Sequence, residues 1–440
     1  MTKRTRGLEE WYAEDPERAD ALLGLDLNGG GRRRVLRVIG SAPLAWFFTE
    51  AMPFGSLRPK GLFPVALAQG KTPLAPRVIE GKDGLIVLSD RPVNAETPIS
   101  LLDDEVTPNQ RHYIRNNGLV PDRATRRDLT GWKLTVDGEV GTPRKLDLAD
   151  LKARYPNQSL QLQLECAGNG RAGFRPPASG LQWKMGAVGC AMYTGVRLKD
   201  VLESAGLKTT AVYVGYYGED PHLSGDPNAI PISRGVPIEK AMDDFTLLAW
   251  EMNGEPLPTQ HGFPLRLVAA GWPASVSGKW LTRLWVRDRV HDGEKMGGNS
   301  YRVPRHPVEP GADVPNEDMA IIGAMPVKSI ITRPATGIEQ PLNQPLSLRG
   351  HAWCGDGPVR SMHVSLDFGA TWVVAALRPP RNPFAWQRWS AEIRFPTAGH
   401  YEVWARATDH AGRQQPMVVP GWNPGGYLNN AMHRIAVRVI

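Results

Sequence analysis

The chain has 440 residues, a formal charge of +7, 39 prolines and 46 glycines. That length exceeds what one hydrophobic core usually serves, and the turn-forming content favours strands over long helices, so two strand-rich domains are expected. The positive residues are scattered, which argues against a nucleic-acid groove, and the apolar run from Val38 to Phe48 stops at Glu50, too short to span a bilayer.

In chain order, the first feature is Arg32-Arg33-Arg34-Val35-Leu36-Arg37, which fits a twin-arginine export pattern, followed by a small-x-small cleavage site at Ala66-Leu67-Ala68. Residues 1–68 are therefore expected to be an export signal and the mature protein to be periplasmic. Pro43, Glu50 and Pro53 interrupt the apolar region, and a basic surface segment is the alternative reading. Residues 69–325 mix strands with short helices. The expected order is a strand over 132–136, a strand over 160–165, a helix over 198–205 closed by Gly206, a strand over 211–215, a helix over 237–242 opened by proline, and strands over 246–251, 265–269 and 281–286. This is an α+β pattern. The texture changes between Met325 and Pro341. Alternating strands are then expected over 346–352, 361–365, 371–376, 386–393, 400–407 and 433–439, an immunoglobulin-like β-sandwich over residues 326–440. With no nucleophile or ligand cluster of its own, that domain is expected to serve homodimerisation.

Chemistry concentrates at Glu165-Cys166-Ala167-Gly168-Asn169-Gly170-Arg171. A buried cysteine is ordinarily inert. Here the thiol ends a strand bearing Leu160, Leu162 and Leu164, glycines let a large group approach the backbone, and an arginine lies near enough to favour the thiolate, the layout a soft metal requires. Cys190 and Cys354 lack a neighbouring cation or ligand cluster and read as small core hydrophobes. No Cys-x-x-Cys-His occurs, so no covalently attached c-type haem is carried. Three further blocks pair cationic or amide donors with glycine or proline turns: residues 111–117, 261–266 and 275–280. A polyanionic cofactor needs such donors, because its heteroatoms must replace the hydrogen bonds lost on leaving water.

Together these blocks resemble the sulfite oxidase family of molybdenum enzymes from about residue 75 onward. Ala178-Ser-Gly-Leu-Gln-Trp183, the stretch from Asp220 to Asp226 and the stretch from Gly271 to Asp288 are similar to haem-free bacterial periplasmic sulfite dehydrogenases. The resemblance implies a molybdopterin-binding domain over 69–325 and a metal held by a pyranopterin dithiolene and Cys166. It also implies that Tyr113, Asn117, His261, Arg266, Ser277 and Lys279 hold the pterin and its phosphate. Arg115 and Arg171 would bind the anion, Trp183 would wall the substrate pocket, and Tyr301 in Asn-Ser-Tyr-Arg would sit beside the metal's oxygen ligand. Two cationic positions of the family are replaced, by Ser179 and Gly425, with Arg234 or His222 as candidate compensations. The implied activity is oxidation of sulfite to sulfate, with electrons passed to an external c-type cytochrome. A sulfane-sulfur dehydrogenase subunit, an oxyanion or sulfoxide reductase, and a non-catalytic binding protein are the alternatives.

Overall fold

The main strands of the first half, among others in the described residues, are β1 (Leu134–Gly138), β2 (Asn157–Glu165), β3 (Val188–Arg197), β4 (Tyr213–Gly218), β5 (Thr246–Met252), β6 (Arg266–Ala269) and β7 (Leu281–Arg287). The computed structural model describes residues 78–440, so the export segment, with its arginines and its Ala66–Ala68 site, lies outside the described residues. β3 lies between β2 and β5 in one antiparallel sheet, and β6 pairs with β5. β7 centres the other sheet, parallel to β1 and antiparallel to β4. Two helices pack against them: α1 (Leu148–Arg154), started by an Asp147/Asp150 capping box, and α2 (Leu198–Ser204), ended at Gly206 with φ +73. Leu151, Val201 and Leu202 join Leu134, Val136, Leu284 and Val286 in the main core. Among the described residues no helix is long and apolar enough to cross a membrane.

The expected strands are present with shifted ends, but β3 and the first strand of the C-terminal half were not anticipated. In β3, Gly189 and Gly195 interrupt a run that otherwise holds the strand formers Val188, Tyr193, Thr194 and Val196. Its glycines are needed because a Cβ at Gly189 would lie 2.6 Å from the His112 ring, and one at Gly195 would lie 2.1 Å from the Leu248 carbonyl oxygen.

The C-terminal half holds β8 (Lys328–Arg333), β9 (Leu346–Trp353), β10 (Val359–Ser365), β11 (Val373–Leu377), β12 (Gln387–Ile393), β13 (Gly399–Asp409) and β14 (His433–Val439). They follow the order β8-β9-β12-β11-β10-β13-β14, with Ile338–Gln340 on the outer edge. β11 pairs with both β10 and β12, so the two expected layers are one continuous sheet curled over a shared core of Leu348, Met362, Val364, Trp389, Val403 and Val437. One cysteine departs from the sequence reading. Cys354 does have a ligand cluster beside it: its thiol donates to Asp356 at 2.9 Å, and His410 lies within the same group. Arg413 bridges Asp356 and Asp409 there and supplies the countercharge.

The two halves interlock at the strand that leads into Cys166. β2 is an edge strand, and its free backbone is covered by the loop before β12: Asn382 donates to the Gln161 carbonyl at 2.8 Å, and Gln163 N–H donates to the Phe384 carbonyl at 2.9 Å.

Candidate active site

Cys166 follows the last residue of β2. Its N–H donates to Ala187 O at 2.9 Å and its carbonyl accepts from Asn169 N–H at 2.9 Å, which fixes the loop on both sides of the thiol. Two cavities meet there. Both are lined by Arg115, Asn117, Cys166 and Tyr301.

The first cavity adds Tyr113, His261, Arg266, Ser277 and Lys279, with His112 and Asp220. Arg266 donates to the carbonyls of His261 and Ser277, each at 3.2 Å, and the Ser277 hydroxyl accepts from Ala269 N–H at 3.0 Å. Lys279 donates to the Gln260 carbonyl at 2.9 Å and to the Asn116 side chain. Behind them, partly buried Lys82 contacts His261 and donates to the Asn109 and His112 carbonyls. Burial, with smaller contributions from neighbouring cations, holds the pKa of Lys279 and His261 well below their ordinary values and that of His112 down at about 3. Burial alone takes Lys82 down to about 7. Among the described residues Asp220 is the one carboxylate lining this cavity, and burial pushes it up to about 6. The cavity thus gathers basic groups that burial holds toward their neutral forms, so a bound anion would supply the countercharge that lets them carry charge.

The second cavity adds Arg171, Ser179, Lys295, Asn299, Ser300, Gly425 and Tyr427. Arg171 donates through Nε to the Gly425 carbonyl at 2.7 Å and through Nη1 to the Leu181 carbonyl at 2.9 Å. Its guanidinium lies 5.1 Å from the centre of the Tyr427 ring; that ring stacks on Tyr301 at 5.5 Å, and Arg234 covers the Tyr301 ring at 4.5 Å. This arginine–tyrosine–tyrosine–arginine column holds Tyr301 at a left-handed backbone angle, φ +51, that a bulky residue rarely adopts. At Arg115 burial opposes the charge, and the facing Tyr301 and Cys166 more than offset it, so its pKa lies above the ordinary value. Arg115 donates to Asn117 Oδ1 at 2.8 Å and to the Asn116 carbonyl.

The residues proposed from sequence therefore converge, with three corrections. Trp183 lines neither cavity; it is wholly buried behind Cys166, edge-on to Tyr113 at 6.5 Å. Its motif fixed its neighbourhood but not the side of the loop it would face. Neither Arg234 nor His222 replaces the missing cations. Arg234 is buried beneath Tyr301, and its Nη1 donates to the Ser275 hydroxyl, while His222 hydrogen-bonds Ser224 at 2.8 Å away from both cavities. Lys295 is the additional cation at the second cavity. The sequence reading also missed Tyr427, His112 and Lys82; the adjacency of His112 to Tyr113 was the only available signal.

Residues 118–295 match the family model "Oxidoreductase molybdopterin binding domain", and residues 319–440 match "Mo-co oxidoreductase dimerisation domain". Sulfite oxidase of Gallus gallus is 34% identical over 365 residues, 80% of this chain and 77% of that protein. Mitochondrial sulfite oxidase of Homo sapiens is 36% identical over 374 residues, 81% of this chain and 66% of that protein. The crystal structure of the sulfane dehydrogenase SoxCD from Paracoccus pantotrophus has a TM-score of 0.64 at 28% identity, covering 79% of this chain and 84% of that one. The first cavity fits the cofactor these relatives imply. Arg266 Nε is a buried donor and His112 Nε2 a buried acceptor, neither with a partner among the described residues, and a pyranopterin phosphate offers both acceptors and N–H groups. The chain belongs to the sulfite oxidase family of molybdenum-cofactor oxidoreductases.

Proposed function

We propose that this oxidoreductase converts sulfite to sulfate at Cys166, in the periplasm, and passes the electrons to an external c-type cytochrome. The observation that carries the reading is the second cavity, which Arg115, Arg171 and Lys295 line together with Cys166. Two guanidinium groups suit an oxyanion because each can bond two oxygens at once. Bound in the first cavity, the molybdenum cofactor would supply the oxygen-atom and two-electron chemistry: sulfite gains one oxygen from water and releases two protons and two electrons. Cys166 would hold the metal, with Tyr113, Asn117, His261, Arg266, Ser277 and Lys279 cradling the pterin and its phosphate. Arg115 and Arg171 would orient the anion, while Tyr301, pinned between Tyr427 and Arg234, would place its hydroxyl at the junction of the cavities. The curled sheet would join two copies of the chain, as the dimerisation-domain match suggests.

A second reading has its own support. Gly425 and Ser179 leave two positions of the second cavity uncharged, and the structural likeness to a sulfane dehydrogenase is substantial. A sulfane-sulfur substrate would then take the place of sulfite. Steady-state turnover with ferricyanide as acceptor separates the two: sulfite as the better substrate by kcat/KM supports the first reading, and a carrier-bound sulfane as the better one replaces it with the second.

A further inference from the structure

Immediately before Cys166, outside the lining of both cavities, Glu165 forms an ion pair with Lys328 at 2.6 Å, both side chains wholly buried. Each carboxylate oxygen is engaged. Oε1 accepts from Lys328 and, at 2.9 Å, from Asn169 Nδ2; Oε2 accepts from the Trp353 indole N–H at 2.8 Å. Lys328 also donates to the Asn169 carbonyl at 3.2 Å, and Asn169 Oδ1 accepts from Ala187 N–H at 3.0 Å. Glu165 and Asn169 flank the loop that bears the thiol, so one lysine grips both of its ends. Lys328 and Trp353 are register partners on β8 and β9 of the C-terminal sheet.

A buried ion pair is a poor device for docking two halves, because desolvation cancels much of its attraction and a well-packed apolar pair would serve at least as well. What it adds is direction, since charge-assisted hydrogen bonds fix the orientation of the groups they join. We infer that Lys328, with Trp353, is a positioning residue for Cys166, so that the C-terminal domain sets the orientation of the thiolate. The inference rests on Cys166 being the metal ligand. Groups that orient a ligand without touching the metal characteristically tune it.

The test uses Lys328→Met and Trp353→Phe in the full, molybdenum-loaded chain. The readouts are metal content, kcat and KM, and the paramagnetic resonance signal of the one-electron-reduced metal. Lys328→Met is expected to keep its molybdenum and a near-native KM, to lose about tenfold in kcat, and to shift the resonance signal. Trp353→Phe, which keeps the ring and loses one hydrogen bond, is expected to shift it less in the same direction, and it decides alone if Lys328→Met fails to fold. A native signal and kcat in the loaded variants, even with a lowered Tm, would overturn the inference and leave the pair a structural contact. Cys166→Ser is the control: a native signal there would sink the ligand assignment itself and the inference with it.

Discussion

The cavity around His261 and Lys279 takes its lining from residues 112–301, whereas the cavity around Arg171 also draws Pro424, Gly425 and Tyr427 from the C-terminal half. The first is set by sheet ends and tight turns of one half, and its donors are buried and crowded. The second is closed by a loop from the other half, held by Leu428 N–H donating to Ala167 O at 3.0 Å and Asn429 Nδ2 donating to Gly170 O at 2.8 Å. A cofactor makes a constant demand, and a lining drawn from a single half meets it. A substrate wall supplied by a separate loop can change in charge without disturbing that site. Gly425 shows how: a Cβ there would lie 2.3 Å from the Tyr427 ring, so Tyr427 fills the space a side chain at 425 would need.

Substitutions that separate the two cavities test this division. The largest effect is expected from Cys166→Ser, at their junction, which should abolish turnover while the chain remains folded by circular dichroism. Arg115→Gln, also shared, should raise the substrate KM about ten- to a hundredfold, the usual worth of a lost charge-assisted contact to an anion; an unchanged KM would move the anion site elsewhere. Lys279→Met touches only the first cavity and should lower molybdenum content severalfold with kinetic constants per metal nearly unchanged. Gly425→Ala touches only the second, and should raise KM a few-fold by displacing Tyr427, with metal content at the native level. If both variants changed the same readout, the division would fail. A last expected effect lies in the C-terminal sheet, away from both cavities. Burial holds the pKa of His351 down at about 4, and the ring is wholly buried against Trp386. A base whose pKa is lowered by folding binds its proton more readily when unfolded, so stability should be full above pH 6.5 and fall as pH drops toward 4. The loss at this one site is at most about 3 kcal/mol. Partly buried His433, also held down at about 4 by desolvation, acts in the same direction. Chemical denaturation at pH 7 and pH 4.5, compared between the native chain and His351→Phe, would measure it, with the variant expected to be less sensitive to acid.

Much of the first cavity was legible because its chemistry imposes itself on the sequence: a thiol among glycines, and donor blocks at tight turns. Less of the second could be read. Lys295 lies in the run Glu294-Lys295-Met296, which looks like ordinary surface until a left-handed backbone, φ +69, and the fold bring it to the cavity. Trp183 carries the same motif whether it faces substrate or core. Lys328 was hidden most thoroughly, since a lysine in a short strand at a change of texture carries no sign that it is wholly buried against a carboxylate 163 residues away. Such pairings arise from tertiary packing, which local pattern does not encode.

The most direct test of the account is molybdenum content by plasma mass spectrometry, with sulfite-dependent reduction of cytochrome c or ferricyanide measured on the same sample. About one molybdenum per chain together with sulfite turnover is the predicted result. Stoichiometric molybdenum with no sulfite turnover would contradict the substrate assignment, and a folded chain unable to retain the metal would contradict the account of the first cavity.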